Sequence, residues 1–447
     1  MKKLLALTLA SCMALSLAAC GAKPTAESVS AAASGAAPDG EKMEISIMHY
    51  ATETDAAVNV ESKITLEAIA NFKAANPNIT VVEEVVAHDS YEAKLKTLAA
   101  GDQLPDIFTA LPTFMPTFYD NGQILDIKPL LEADADWNSR FLKGAHGDYE
   151  FGDIILGTPK SGIVNHVLLW NRDIFEKCGI KEFPKNSEEF KAAVITLKEN
   201  GYIPMSAGNK GKFILASQIM PGILMKFASA DWYNNVKQYK ASFTDPEAVE
   251  AITYVDELLK LGLLNDDFNS IEGSQARQMY YDEKAAMYVE GSWVISAVTT
   301  DASPEVCEKT NVTIFPTVVG KEDLEGQIVG GQGWGFCLNS KLKDEKLAKS
   351  IELLKCLTAP EIQGELVEGG ALAVVNNATY DESKLSPLYV KFLEMYKSHP
   401  VIVGCPEVQL STDYMDASYT GYQELSIGQL TPTELAEKLQ EAHESAK

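Results

Sequence analysis

The sequence predicts an α/β protein whose folded body contains two domains. Short apolar strands alternate with amphipathic helices from Met43 onward, which is the pattern of a parallel sheet with crossover helices. The same alternation starts again after Gly157-Thr158-Pro159. The body that carries it runs from about Met43 to Lys447, which is too long for one ordinary domain.

The first run of the alternation contains three strands and two helices. An apolar stripe that includes Ile64, Ile69 and Phe72 predicts a helix over 59–75, and Asn76-Pro77-Asn78 stops it. The other predicted elements are strands at Met43–Met48, Ile79–Val86 and Asp106–Ala110 and a helix at Tyr91–Ala100.

The second run is longer, and its helices carry clear start signals. Asn186 or Ser187 caps a helix that continues to Asn200, and Asp245 and Pro246 are typical of an N-cap and a first helical residue. The further predicted helices are Arg172–Lys177, Lys346–Leu357 and Thr433–His443, and the predicted strands are Asn165–Trp170, Ile203–Ser206, Ala285–Val289, Asn311–Phe315 and Trp334–Leu338.

The first 42 residues read as a processing signal and a tether. Two lysines precede an apolar run over 4–17, which has signal-peptide length and is too short to span a membrane. It ends in Leu17-Ala18-Ala19-Cys20-Gly21, a pattern typical of a bacterial lipobox. We therefore expect a signal peptide at 1–19 and a lipid on Cys20. The Ala-, Ser- and Gly-rich residues 20–42 predict a flexible tether.

Charge and composition exclude several kinds of function. The formal net charge of −25 disfavours nucleic-acid binding, because phosphate recognition needs a basic surface. Five cysteines remain after Cys12 and Cys20, and their scattered spacing predicts neither a metal site nor a disulfide framework. The sequence contains no GxSxG, Walker, HExxH or CxxC motif, and the glycines of 330–335 do not match the dinucleotide fingerprint. We therefore expect no metal, no cofactor and no enzyme activity.

The order of short motifs in the body resembles the family-1 extracellular solute-binding proteins of ABC importers, a family that includes maltose-binding protein. Each motif is weak alone, but six of them follow one another in the family's order. They are Phe72–Ile79 (FKAANPNI), Tyr91–Leu95 leading to Leu104–Ile107 (LPDI), Leu156–Pro159 (LGTP), Leu169–Phe175 (LWNRDIF), Ala285–Trp293 (AAMYVEGSW) and Thr358–Gln363 (TAPEIQ).

The resemblance implies the type II periplasmic-binding-protein fold, in which hinge segments join two α/β lobes and the ligand lies in the cleft between them. We expect residues 43–158 and 316–375 to form the first lobe, and residues 159–315 and 376–447 the second. The implied crossings lie near Gly157–Ser161, Phe315–Val318 and Val374–Asn377.

The resemblance also implies a sugar ligand, and the chemistry of a sugar indicates which residues bind it. A pyranose ring has an apolar face, which aromatic rings cover, and hydroxyl groups, which fixed donors and acceptors bond. Trp293, after Gly291-Ser292, is the first candidate, because the family has a stacking tryptophan there. The further candidates are Trp334 and Gly331 in the glycine-rich turn, His49 and Tyr50 at the end of the first strand, Lys160 and Ser161 after the first crossing, and Asn209 in a polar loop.

The expected function is that of a receptor on the extracellular face of a bacterial cell membrane, anchored by the lipid on Cys20. Its partners would be a sugar or oligosaccharide and the transmembrane permease subunits of an ABC importer, and the protein would be a monomer. Two alternatives stay open at the level of sequence. One is a binding lipoprotein for a non-sugar polar solute, and the other is a surface glycosidase.

Overall fold

The computed structural model describes residues 43–447. The predicted signal peptide, Cys20 and the tether lie outside these residues. Within the described part of the chain, no helix is both long enough and apolar enough to cross a membrane.

The described residues form thirteen strands in four sheets. They are β1 (Met43–His49), β2 (Ile79–Val85), β3 (Ile107–Ala110), β4 (Glu150–Phe151), β5 (Ile154–Ile155), β6 (Ile163–Val164), β7 (Val167–Asn171), β8 (Ile203–Ser206), β9 (Ala285–Glu290), β10 (Thr310–Thr313), β11 (Gln327–Gly331), β12 (Gly335–Leu338) and β13 (Val401–Val403).

Helices of three kinds surround the sheets. The α-helices are α1 (Glu53–Ala56), α2 (Val60–Ala75), α3 (His88–Ala100), α4 (Met115–Asp120), α5 (Lys128–Ala133), α6 (Ala135–Asn138), α7 (Arg172–Lys177), α8 (Ser187–Glu199), α9 (Met220–Phe227), α10 (Ala230–Lys237), α11 (Pro246–Leu261), α12 (Gly273–Tyr281), α13 (Val294–Asp301), α14 (Pro304–Lys309), α15 (Asp344–Leu357), α16 (Pro360–Glu368), α17 (Pro387–Ser398), α18 (Pro406–Gln409), α19 (Thr412–Ser426) and α20 (Pro432–Ser445). A π-helix spans Ile214–Ile219, and 3₁₀ turns occupy Pro112–Phe114, Gly147–Tyr149, Glu322–Leu324 and Glu382–Lys384.

The first lobe is built on the sheet β12-β3-β1-β2. Strands β1, β2 and β3 run parallel, as the alternation predicts, and β12 joins the edge antiparallel to β3. The apolar face of α2 packs Ile69 and Phe72 against Ile45 and Ile47 of β1, and α15 adds Leu353 to the same core. Asn59 caps α2 by accepting a hydrogen bond from Glu61 N at 2.8 Å.

The second lobe is built on the sheet β10-β7-β9-β8, in which β8 and β9 are parallel and the other neighbours antiparallel. Strand β9 is buried along its whole length. Asn186 caps α8 as expected. Asp245 is the N-cap of α11 and Pro246 its first residue, as predicted, but the Asp245 carboxylate accepts hydrogen bonds from Trp232 Nε1 and Ser242 N and makes none to the helix.

The segments that join the lobes meet at a small sheet, β13-β11-β6. The first crossing follows Thr158, whose backbone pairs with Phe336 of β12, and ends at β6. We place the second crossing at β11 and the turn before β12. It does not lie at Phe315–Val318, because Thr317 O still accepts from Ser187 N of the second lobe at 2.8 Å. The expected boundary at 315/316 therefore lies within a segment that is bonded to the second lobe.

The third crossing also follows later than Val374–Asn377. Asn376 N donates to Arg140 O of the first lobe at 2.7 Å, and Lys384 forms an ion pair with Glu368 at 2.8 Å. Side-chain hydrogen bonds to the second lobe join Ser386 Oγ to Thr299 Oγ1 at 3.3 Å, just before α17, and Lys391 Nζ of α17 to Thr310 O at 3.0 Å. We therefore place this crossing between Lys384 and α17, and not at the boundary 375/376.

Candidate functional site

A cavity of about 430 Å³ lies between the two lobes, and side chains of both lobes line it. Its volume is in the range of pockets that bind small molecules. The lobes also touch beside it. The rings of His88, on α3, and Phe213, before the π-helix, are 6.0 Å apart, and Val60 N donates to Ser296 Oγ at 3.1 Å. The two lobes are therefore in contact in the described conformation.

The first lobe contributes an aromatic cluster to the cavity. Tyr50 follows β1, Tyr91 lies on α3 and Trp334 precedes β12. The Trp334 ring centroid is 5.6 Å from that of Tyr50 and 5.4 Å from that of Tyr91, with the rings edge to face. The Tyr91 hydroxyl accepts from Thr109 N at 3.1 Å and lies 3.0 Å from Met48 O, so the base of the cluster is fixed to the sheet. Tyr50 and Trp334 line the cavity.

Trp293 presents an aromatic ring from the second lobe. It lies between the end of β9 and the start of α13, and it lines the cavity. Its Nε1 donates to Glu290 Oε1 at 2.9 Å, and the other oxygen of Glu290 accepts from the Tyr288 hydroxyl. The ring lies across Gly291, where a Cβ atom would collide with it. The Gly-Ser-Trp order therefore has a steric reason, since only glycine leaves room for the ring.

Lys160 is a buried cation at the cavity wall, and only 3% of its surface is exposed. Its Nζ donates to the Tyr50 hydroxyl at 2.8 Å and lies 3.3 Å from Glu61 Oε2. Burial alone would lower the pKa of Lys160, but Tyr50 and Glu61 outweigh it and raise that pKa. Burial also raises the pKa of Tyr50. At neutral pH the lysine is therefore charged, and the tyrosine keeps a hydroxyl proton that it can donate to a ligand.

Carboxyl groups outnumber cations around the cavity. Among the described residues that line it, seven carry carboxyl groups and two, Lys160 and Arg277, carry permanent positive charges. Burial raises the pKa of Glu407, whose Oε1 accepts from the Tyr419 hydroxyl at 2.5 Å. No group of His, Cys, Asp or Glu side chains in the described part of the chain is arranged to hold a metal ion. This lining disfavours an anionic solute.

The four other candidate residues do not line the cavity. His49, next to Tyr50, turns the other way, because successive side chains of a strand point to opposite faces. Its Nε2 lies 3.2 Å from Glu83 Oε2, and burial lowers its pKa. Asn209 is buried in a loop, where it donates to Asn269 Oδ1 at 2.8 Å. Ser161 is fully buried at the first crossing.

Gly331 has a structural role beside the cavity. A side chain there would collide with the Asp148 carboxylate, which accepts from Gln332 N at 2.7 Å. The absence of a Cβ at Gly331 lets that carboxylate hold the turn that presents Gln332 and Trp334 to the cavity.

Several lining residues were missed by sequence reasoning. Glu61, His88 and Arg277 are on helices whose amphipathic pattern is ordinary. Gln218 is on the π-helix, whose wider turn does not follow the 3.6-residue period that reveals an α-helix. A signal was available for Glu61, because it lies two residues after Asn59, the N-cap of α2.

The geometry defines a two-lobed binding protein with a preformed cavity at the lobe interface. Comparison with known proteins supports this class of protein. The chain belongs to the family of bacterial extracellular solute-binding proteins, whose sequence profile matches residues 57–364. The protein is therefore a binding protein and not an enzyme.

Individual relatives are similar over most of the chain. The diacetylchitobiose-binding protein DasA of Streptomyces coelicolor is 23% identical over 366 residues, which is 80% of this chain and 79% of that protein. The putative ABC transporter periplasmic-binding protein YcjN of Escherichia coli K12 is 25% identical over 280 residues, 58% of each chain. The solved structure of a chitin oligosaccharide binding protein superposes with a TM-score of 0.81 at 21% identity, covering 91% of this chain and 99% of that one. The predicted fold is confirmed.

Proposed function

We propose that this protein captures a sugar or oligosaccharide between its two lobes and delivers it to the transmembrane subunits of an ABC importer. The observation that carries the proposal is the presence of aromatic rings on both sides of one cavity, with Tyr50 and Trp334 on the first lobe and Trp293 on the second. Rings of this kind cover the apolar faces of pyranose units.

The polar groups of the cavity support the same solute. Lys160 and Arg277 are donors, and the Tyr50 hydroxyl and the Gln218 amide can both donate and accept. Hydroxyl groups of a sugar need such a mixture. The named sugar-binding relatives, DasA and the chitin oligosaccharide binding protein, are consistent with this assignment.

The site of action in this proposal is the extracellular face of the cell membrane. The lipobox motif supports attachment through a lipid on Cys20, and residues 21–42 would give the folded body reach toward the importer. The receptor would act as a monomer, since one chain supplies both lobes of the cavity.

A ligand panel tests the proposal. The panel contains chito-, xylo-, cello- and malto-oligosaccharides of two to four units, a peptide, a polyamine and a sugar phosphate. A ligand that binds only the folded state stabilises it by RT ln(1 + [L]/Kd), about 2.7 kcal/mol at a concentration of 100 Kd. We expect a neutral sugar to raise the melting temperature and to bind in calorimetry. Binding of the peptide, polyamine or phosphate with no sugar bound would overturn the proposal, as would release of monosaccharide from a bound oligosaccharide.

A further inference from the structure

The turn that carries Trp293 is tied by its backbone to the first crossing between the lobes. Ser292 N donates to Val164 O at 2.8 Å, and Val164 N donates to Ser292 Oγ at 3.0 Å. Val164 belongs to β6, which pairs with β11 in the small sheet where the joining segments meet. The backbone of the turn is therefore fixed, and the two side-chain torsions of Trp293 are left to set the orientation of its ring.

The Glu290 carboxylate sets this orientation from one edge of the ring. Its Oε1 accepts from Trp293 Nε1 at 2.9 Å. An indole has a single N–H group and no acceptor, so this bond uses the only hydrogen-bonding group of the side chain. The ring cannot rotate away without leaving that N–H and the carboxylate without each other. Trp293 consequently offers a solute the face of its ring and no hydrogen bond.

Glu290 is itself held by two neighbouring elements. Its Oε2 accepts from the hydroxyl of Tyr288 on the same strand, and that hydroxyl also lies 3.2 Å from Gly273 O, at the start of α12. Arg277 of α12 lies near, because burial acts to lower the pKa of Arg277 while Glu290, with other acidic neighbours, raises it. A carboxylate that is only 9% exposed needs such partners. The acceptor for the indole N–H is therefore a fixed one.

We infer that Glu290 is a positioning residue for binding, which holds the Trp293 ring in its binding orientation before a solute arrives. A side chain that is already ordered costs the solute less affinity, and the ordering of one flexible side chain corresponds to about 2- to 10-fold in Kd. In this role Glu290 acts through Trp293 and does not need to touch the solute. That the ring stacks on a sugar rests on the proposed function, whereas the control of its orientation does not.

The first test compares Glu290→Gln with Glu290→Met in the protein without ligand. Both variants remove the charge and keep the length of the side chain, but only glutamine retains an oxygen that can accept from Trp293 Nε1. Labelling with 5-fluorotryptophan gives five labelled residues, and Trp293→Phe identifies the fluorine resonance of Trp293. We expect that resonance to stay near its wild-type position in Glu290→Gln and to shift or broaden in Glu290→Met. An unchanged resonance in folded Glu290→Met would overturn the inference.

The second test measures Kd by calorimetry with the tightest sugar of the panel. Glu290→Met should raise Kd about 2- to 10-fold, and Glu290→Gln should restore most of the affinity. Asp245→Leu is the matched control, because Asp245 Oδ2 accepts from Trp232 Nε1 at 3.0 Å outside the cavity. It should move the Trp232 resonance and leave Kd unchanged. Equal losses of affinity in the two Glu290 variants would show that the carboxylate acts on the solute through its charge, and would overturn the positioning role.

Two further outcomes stay decisive. If Glu290→Met does not fold, Tyr288→Phe replaces it, since that variant releases one oxygen of Glu290 and should also shift the Trp293 resonance. No shift in Tyr288→Phe would then count against the inference. If no sugar binds the wild type, the proposed function fails, while the fluorine resonances of the ligand-free variants still decide whether Glu290 orients the ring.

Discussion

Replacement of Trp293 by alanine tests the aromatic contact on the second lobe. The ring is already covered on one side by Gly291 and held at its edge by Glu290. If a sugar covers a further ~60 Å² of its apolar surface, that contact contributes about 1.5 kcal/mol at ~25 cal/mol per Å². Loss of the ring should therefore raise Kd roughly tenfold. The variant should stay folded, because the ring faces the cavity.

The measurement is isothermal calorimetry with the best sugar of the panel, together with urea unfolding of the free protein. Trp170 is the matched control, since it is also partly buried and in the second lobe, but packs on Phe175 and Phe183 away from the cavity. Trp170→Ala should lower the free energy of unfolding and leave Kd unchanged. The reasoning is refuted if Trp293→Ala unfolds like a core mutant, or if it binds sugar as tightly as the wild type.

Four further predictions address the rest of the molecule. Lys160→Met should lower the free energy of unfolding by about 3–5 kcal/mol in urea, because Glu61 becomes a buried charge without a partner; an unchanged midpoint would contradict that pairing. Burial lowers the pKa of His146 to about 4, so between pH 7 and 5 the unfolded state gains a proton that the folded state does not, and the wild type loses stability. The variant His146→Gln should lose about 2 kcal/mol less than the wild type over this range. Equal losses in both proteins would refute this. Cys20→Ala should shift the protein from the membrane fraction to the medium or to an unprocessed precursor, and unchanged partitioning would defeat the lipid anchor. Saturating sugar should reduce the radius of gyration in X-ray scattering, and no change with confirmed binding would defeat closure of the lobes.

Much of the local structure could be predicted because its causes are local. The N-cap at Asn186, the strand Ile203–Ser206 and the helix Arg172–Lys177 depend on residues within a few positions of each other. The helices around 214–237 and 412–426 were missed. The π-helix and α9 are buried along almost their whole length, so no polar face marks them as surface helices.

The sequence predicted some of the residues that line the cavity. The backbone geometry explains which of the candidates line it and which do not. Trp293, Trp334, Tyr50 and Lys160 line it, whereas His49, Ser161, Asn209 and Gly331 do not. Proximity in sequence suggested both members of the pair His49 and Tyr50, but the alternation of a strand sends only one side chain toward the cavity. Whether the lining residues bind the solute stays a prediction until the variants above are measured.

The sequence by itself determined the class of protein, the alternation of strands and helices, and the turn that presents Trp293, because each is encoded by residue types at short spacing. The tertiary structure alone decided which carboxylate faces Lys160, where the chain crosses between the lobes, and that Glu61 and Gln218 share one cavity. These two residues are far apart in the chain and belong to different lobes. They line the same cavity only because both lobes pack around the hinge, and no local sequence pattern indicates this.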